Sequence, residues 1–163
     1  METDEIQCQV ENPFDRKNAV ANTVVAFIPF FISIYAVAKY KPRKLPLLLG
    51  AQAVFLTVGR RMVCARCQYY GQECSTMLGI MAAKMMPKDE SRPLQRNDII
   101  ADFVLLFLPG VIAFPQTHKN HKLALLYTAS VVAALGALLF NGCGKCGNDF
   151  CPLKDVHKAI VRT

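Results

Sequence analysis

Two stretches of twenty residues without a formal charge govern what this chain can fold into. They are residues 19–38 (AVANTVVAFIPFFISIYAVA) and 123–142 (LALLYTASVVAALGALLFNG). As helices rising ~1.5 Å per residue, each matches the ~30 Å thickness of a bilayer's hydrocarbon core. A surface helix of a water-soluble protein carries a polar stripe on the face that meets water. Neither stretch has one.

Two shorter segments lie between them. Residues 45–59 (LPLLLGAQAVFLTVG) are uncharged and bracketed by Lys44 and by Arg60 and Arg61. Residues 99–117 contain one charge, Asp102, close to their start. Lysine and arginine at helix ends snorkel toward headgroups and lengthen the usable span. The expectation is an all-α integral membrane protein, a bundle of four transmembrane helices over roughly residues 19–38, 45–62, 99–117 and 123–142. Re-entrant or buried core segments are the alternative for the middle pair. A length of 163 residues suits a single membrane domain covering 1–163. The acidic start, METDEIQCQVENPFD, reads against a cleavable signal, so the first apolar run is expected to stay as an anchor.

The formal charge of +7 does not point to nucleic acid. The basic residues sit in short clusters beside apolar runs, where membrane proteins place them, and tryptophan is absent. The expected surroundings are therefore the lipid bilayer, with other membrane subunits or a quinone as further partners.

Four crossings put the N-terminal tail, the loop 60–98 and the tail 143–163 on one side. The short loops KYKPRK and QTHKNHK fall on the other. All seven cysteines then share a side: Cys8, Cys64, Cys67, Cys74, Cys143, Cys146 and Cys151. Arg16, Lys17, Arg60, Arg61 and Arg96 near helix ends favour a cytoplasmic cysteine side, although the basic short loops pull the other way. Cytosolic thiols stay reduced, which agrees.

The cysteines form two blocks, CARCQYYGQEC in the loop 64–74 and CGKCGNDFC opening the loop 143–157. Each begins with C-x-x-C, a spacing that can set two thiolates on one metal across a tight turn. Gly142, Gly144 and Gly147 would permit such a turn. In one assignment each block holds its own centre, Cys143, Cys146 and Cys151 with His157, and Cys64, Cys67 and Cys74 with Cys8. In another, the two C-x-x-C pairs share one zinc ion or one iron–sulfur cluster, as four-cysteine sites do. In a third, the cysteines themselves do redox chemistry, as a membrane thiol–disulfide oxidoreductase. Structural disulfides bracing the two loops are the plainest alternative, and the one expected if this side faces outward. The first reading is a metal or iron–sulfur centre in an electron-transfer or anchoring subunit of a larger complex. Arg66 and Lys145 beside the thiols are expected to lower their pKa values.

Other features narrow the choice. His118, His121 and His157 all lie outside the apolar runs, so bis-histidine haem ligation within them is not expected. Asp102, within one turn of its helix start, argues against proton-coupled transport, which uses ionisable groups near the midplane. Residues 75–86 (STMLGIMAAKMM) read as a short interfacial helix capped by Ser75, with Met77, Met81 and Met85 on one face. Ala129, Ala133 and Ala137 recur at helical spacing, as in close helix–helix contacts.

Overall fold

The structure is a computed structural model that describes residues 13–143, 145–148 and 151–161, among which every regular element is helical. Four long helices, Arg16–Tyr40, Pro42–Arg66, Arg96–Thr117 and His121–Cys143, are long and apolar enough to cross a bilayer. Two short helices, Leu78–Met85 and Pro152–Val161, accompany them. Cys8, a candidate ligand of the first block, lies outside the described residues.

The first long helix is the hub. It packs mainly on the fourth and third, while the second packs on the third. Near the short loops, Val37, Leu48 and Ala113 are fully buried, with Ile34, Leu45 and Ile112 packed around them. The outside of the bundle is apolar on every long helix, with Phe31, Leu47, Val111 and Leu125 all exposed and Val111 at 70%. Water would leave such a surface uncovered, whereas lipid tails solvate it. Pro29, Pro109 and Pro115 sit inside helices. The Pro29 carbonyl accepts the Ser33 hydroxyl at 2.7 Å, which satisfies that hydroxyl within its own helix. Asp15 and Asn120 cap the first and fourth helices through backbone N–H groups.

Several sequence expectations shift. The second long helix runs to Arg66, passing through a π turn at Phe55–Gly59, so Cys64 lies in its last turn rather than in a loop beyond it. Cys143 likewise closes a π turn, Leu139–Cys143. The third helix starts at Arg96, which puts Asp102 nearly two turns in. There it pairs with Arg60, a residue that the sequence places at a helix end facing headgroups. Arg60 is buried and Asp102 half-buried, with Arg60 also stacked 4.5 Å from the Phe55 ring centroid. The short helix of the loop begins at Leu78, not at residue 75, and Met77 rather than Ser75 occupies its cap position. Gly79 and Ala82 form its buried side, while Met81 and Met85 are exposed. On the fourth helix the buried small residues are Ser130 and Ala134, and Ala129 and Ala133 face outward. The expected small-residue contact is thus one residue further along. The tail 143–163 contains a helix, Pro152–Val161, opened by a proline whose missing N–H costs nothing at that position.

The ion pair gives a direct test. Asp102→Asn leaves a buried guanidinium without its counter-charge and should destabilise the protein by about 3 kcal/mol in denaturant titrations in mixed micelles. The double variant Arg60→Met with Asp102→Leu should recover most of that loss. Equal destabilisation by both would show that the charge pairing is not what matters there.

Candidate cysteine centre

The first block is built by a chain that turns tightly after the second helix. Cys64 is buried in the final helical turn, and Cys67 comes next in an extended conformation. Tyr70 and Gln72 donate their backbone N–H to the carbonyls of Cys67 and Tyr69, both at 3.0 Å. Gly71, at φ +77°, supplies the left-handed step that returns the chain toward Cys74. The Tyr70 hydroxyl donates to the Met86 carbonyl and so ties this turn to the short helix. The Cys74 thiol donates to the Thr76 carbonyl at 2.9 Å.

The second block turns at the end of the fourth helix, where the Gly142 carbonyl accepts from the N–H groups of Lys145 (3.2 Å) and Cys146 (3.1 Å). Cys151 donates its N–H to the Asn148 carbonyl at 3.3 Å and leads into the C-terminal helix. The Lys154 ammonium donates to the Cys146 carbonyl at 3.0 Å, clamping that helix back onto the block.

Polar tethers hold the two blocks together. Asn22, buried in the first helix, donates to the Ser75 carbonyl at 2.9 Å and accepts from the Asn141 amide at 3.0 Å. Thr23 accepts the Met77 N–H at 2.8 Å. The Tyr69 hydroxyl accepts the Gly147 N–H at 3.3 Å. This closeness leaves little room at two glycines, least of all at Gly142, whose neighbour is a Cβ that cannot swing away. A Cβ at Gly142 would stand 2.6 Å from the Ser75 Cβ, and one at Gly147 would stand 2.7 Å from the Gln68 side-chain nitrogen.

The outcome is one cavity of about 320 Å³ whose lining includes Cys64, Cys67, Cys74, Cys143, Cys146 and Cys151. All six are free thiols. The blocks interleave: Cys67 is within electrostatic reach of Cys74 and of Cys146, and Cys146 is within reach of Cys74 and Cys151. Among the described residues, no three Cys, His, Asp or Glu side chains already surround one metal-sized point. His157 does not line the cavity and stands edge-on to Phe140, with ring centroids 6.4 Å apart. His118 stacks on Phe114 at the far end, at 3.9 Å.

The electrostatics differ from the sequence expectation. Arg66 faces carboxylates: it is 2.7 Å from Asp89 and 3.7 Å from Asp98, which Arg92 also holds at 2.6 Å. Hydrogen bonds from Ser91 and Arg66 hold the Asp89 carboxyl at about 2. Lys145 is exposed. Lys154 opposes the effect at Cys146, but burial is the larger influence on the two thiols outside the long helices. It pushes Cys67 and Cys146 above the ordinary thiol range, and the neighbouring thiols add to this. Hydrogen bonds from the Tyr69 backbone and the Asn148 side chain oppose it at Cys67.

The sequence pattern alone does not single out Arg60, Asn22, Tyr69 or Tyr127. A lone polar residue in an apolar run, such as Asn22, is the one signal it offers. No family model matches the chain, and neither curated proteins nor solved structures include a significantly similar one.

Alkylation by iodoacetamide under reducing, metal-free conditions, read by peptide mass spectrometry, should give Cys67 and Cys146 midpoints above the ~8.5 of a free cysteine. Asn148→Ala, which removes a bond that favours the Cys67 thiolate, should raise that midpoint further. A midpoint below that of a free thiol would mean that a cation, not burial, controls the site.

Proposed function

We propose that this chain is a multi-pass membrane protein whose two C-x-x-C pairs form one thiolate centre for zinc or an iron–sulfur cluster. Its role is that of an electron-transfer or anchoring subunit within a larger membrane assembly. The observation that carries this reading is the convergence of two blocks, distant in sequence, on one cavity that both line. Cys64, Cys67, Cys143 and Cys146 would supply four sulfur ligands. Thiols bind metal as thiolates, so loading would release protons. A bound cluster would supply one-electron chemistry, and zinc a structural clamp. Cys74, donating to Thr76, and Cys151, at the foot of the C-terminal helix, stand as the outer pair.

On this reading the cysteine end faces the cytoplasm, where thiols stay reduced. Its support is that Arg16, Lys17, Arg61 and Arg96 are exposed near helix ends. A thiol–disulfide oxidoreductase is the second reading. It is favoured by the same cavity, because six free thiols open onto an apolar interior.

Protein purified without oxygen should carry zinc or iron in stoichiometric amount, and Cys64→Ser should abolish it. Cys8→Ser and His157→Ala should leave the metal in place; loss in both would favour two separate centres instead. Three disulfides and no metal in unreduced protein would sink the centre and leave redox chemistry or disulfide bracing.

Orientation is tested separately. In intact cells, after reduction and chelation, Cys67 and Cys151, both half-buried, should respond alike to an impermeant maleimide. Opposite labelling would remove the four-crossing arrangement.

A further inference from the structure

The cavity does not end at the thiols. It continues inward past Phe27, Phe30, Leu106 and Val131 to Ser33, Gly110 and Tyr127. From Cys143 down to Tyr127 the fourth helix covers about 24 Å at ~1.5 Å per residue. At the far end the Tyr127 hydroxyl lies against the Gly110 backbone, where a Cβ would stand 2.9 Å from it. The middle is apolar and aromatic, and the volume falls in the range of small-ligand sites, roughly 300–1,000 Å³.

A second observation indicates what enters it. Arg60 lines this cavity and is 9% exposed. One guanidinium nitrogen holds Asp102, and another is 3.8 Å from the Cys64 sulfur. The third, Nε, is buried and has no hydrogen-bond partner. A buried N–H without an acceptor is costly, and this one belongs to a side chain that lines the cavity. Because Asp102 already balances the charge, the fitting acceptor is neutral. A phosphate headgroup would compete for the guanidinium, whereas a carbonyl oxygen would simply complete it. The Phe55 ring beneath Arg60 and the Phe30 ring stacked on it, with centroids 5.8 Å apart, suit a flat head.

We propose that this cavity binds a lipid-soluble quinone, with a head carbonyl accepting from Arg60 beside Cys64 and an apolar tail running between the first, third and fourth helices toward Tyr127. The choice of a quinone over an ester lipid rests on the neighbours of the head, which are thiols able to exchange electrons with it. The binding does not depend on what the cysteines hold.

The test is equilibrium binding of radiolabelled decylubiquinone to the full chain in lipid nanodiscs, with metal content measured on the same sample. Saturable one-to-one binding is expected, displaced poorly by a decyl-substituted benzene that lacks carbonyls. Arg60→Lys, which keeps a cation for Asp102, should weaken binding at least tenfold. Val131→Phe, which fills the middle of the cavity, should abolish it. Absence of saturable binding to the unmodified protein would overturn the proposal. So would equal affinity for the carbonyl-free analogue, since the cavity would then be a groove for acyl chains. Absence of metal from protein purified without oxygen would sink the metal centre, and quinone binding retained in that same sample would leave this site standing.

Discussion

A guanidinium inside an apolar bundle has to be answered, and the way Arg60 is answered organises the cysteine end. Its counter-charge, Asp102, comes from the third helix, so the second and third helices are held at one relative height. The carboxylate reaches it only because residue 59 is glycine; a Cβ there would stand 2.6 Å from the Asp102 oxygen. The stacked Phe55 ring covers one face of the guanidinium, and Cys64 takes up one of its donors. Gly59, Arg60, Cys64 and Asp102 therefore act as one unit. A change at any of them is felt at the sulfur.

Much of the bundle was legible because charge is so poorly tolerated in hydrocarbon. Twenty consecutive uncharged residues admit few interpretations, and the four long helices fall where the runs lie. The same rule hid Arg60. Charges near the end of an apolar run usually reach for headgroups, and nothing local distinguishes one that turns inward to a partner forty-two residues away. The helical continuation to Arg66 was hidden for the same reason, since the charges looked like a terminus. The convergence of the cysteines was legible only as topology, an even number of crossings between the blocks. The contacts that turn shared side into shared cavity come from Asn22, Asn141 and Tyr69, residue types common in many unrelated settings.

The two blocks reach one place by different means. The first is shaped by its own loop, with Gly71 reversing the chain and Tyr70 pinned to the short helix. The second is shaped by the C-terminal helix, through the Lys154 clamp on the Cys146 carbonyl. Asn22 then contributes to both at once, because its amide and its carbonyl face different blocks. A buried polar side chain with each end satisfied gives little net stability, about 1 kcal/mol per bond, but it strongly disfavours other arrangements. The first helix is in this sense a jig for the cysteines, although it carries none in its described length.

The π turns at Phe55–Gly59 and Leu139–Cys143 give this arrangement an unusual kind of dependence. Each accommodates one residue more than an α-helical turn, and one residue is about 100° of rotation around a helix axis. Both offsets come shortly before, or at, the first cysteine of a block. The angular phase of the sulfurs therefore tolerates one extra residue in each segment, because the π turn absorbs it. A chain with one residue fewer in each segment would keep the same hydropathy profile and the same four apolar helices. Each π turn would close to an α turn and leave its leading cysteine near the same phase, whereas a residue lost from the regular part of either helix would rotate that cysteine by about 100°.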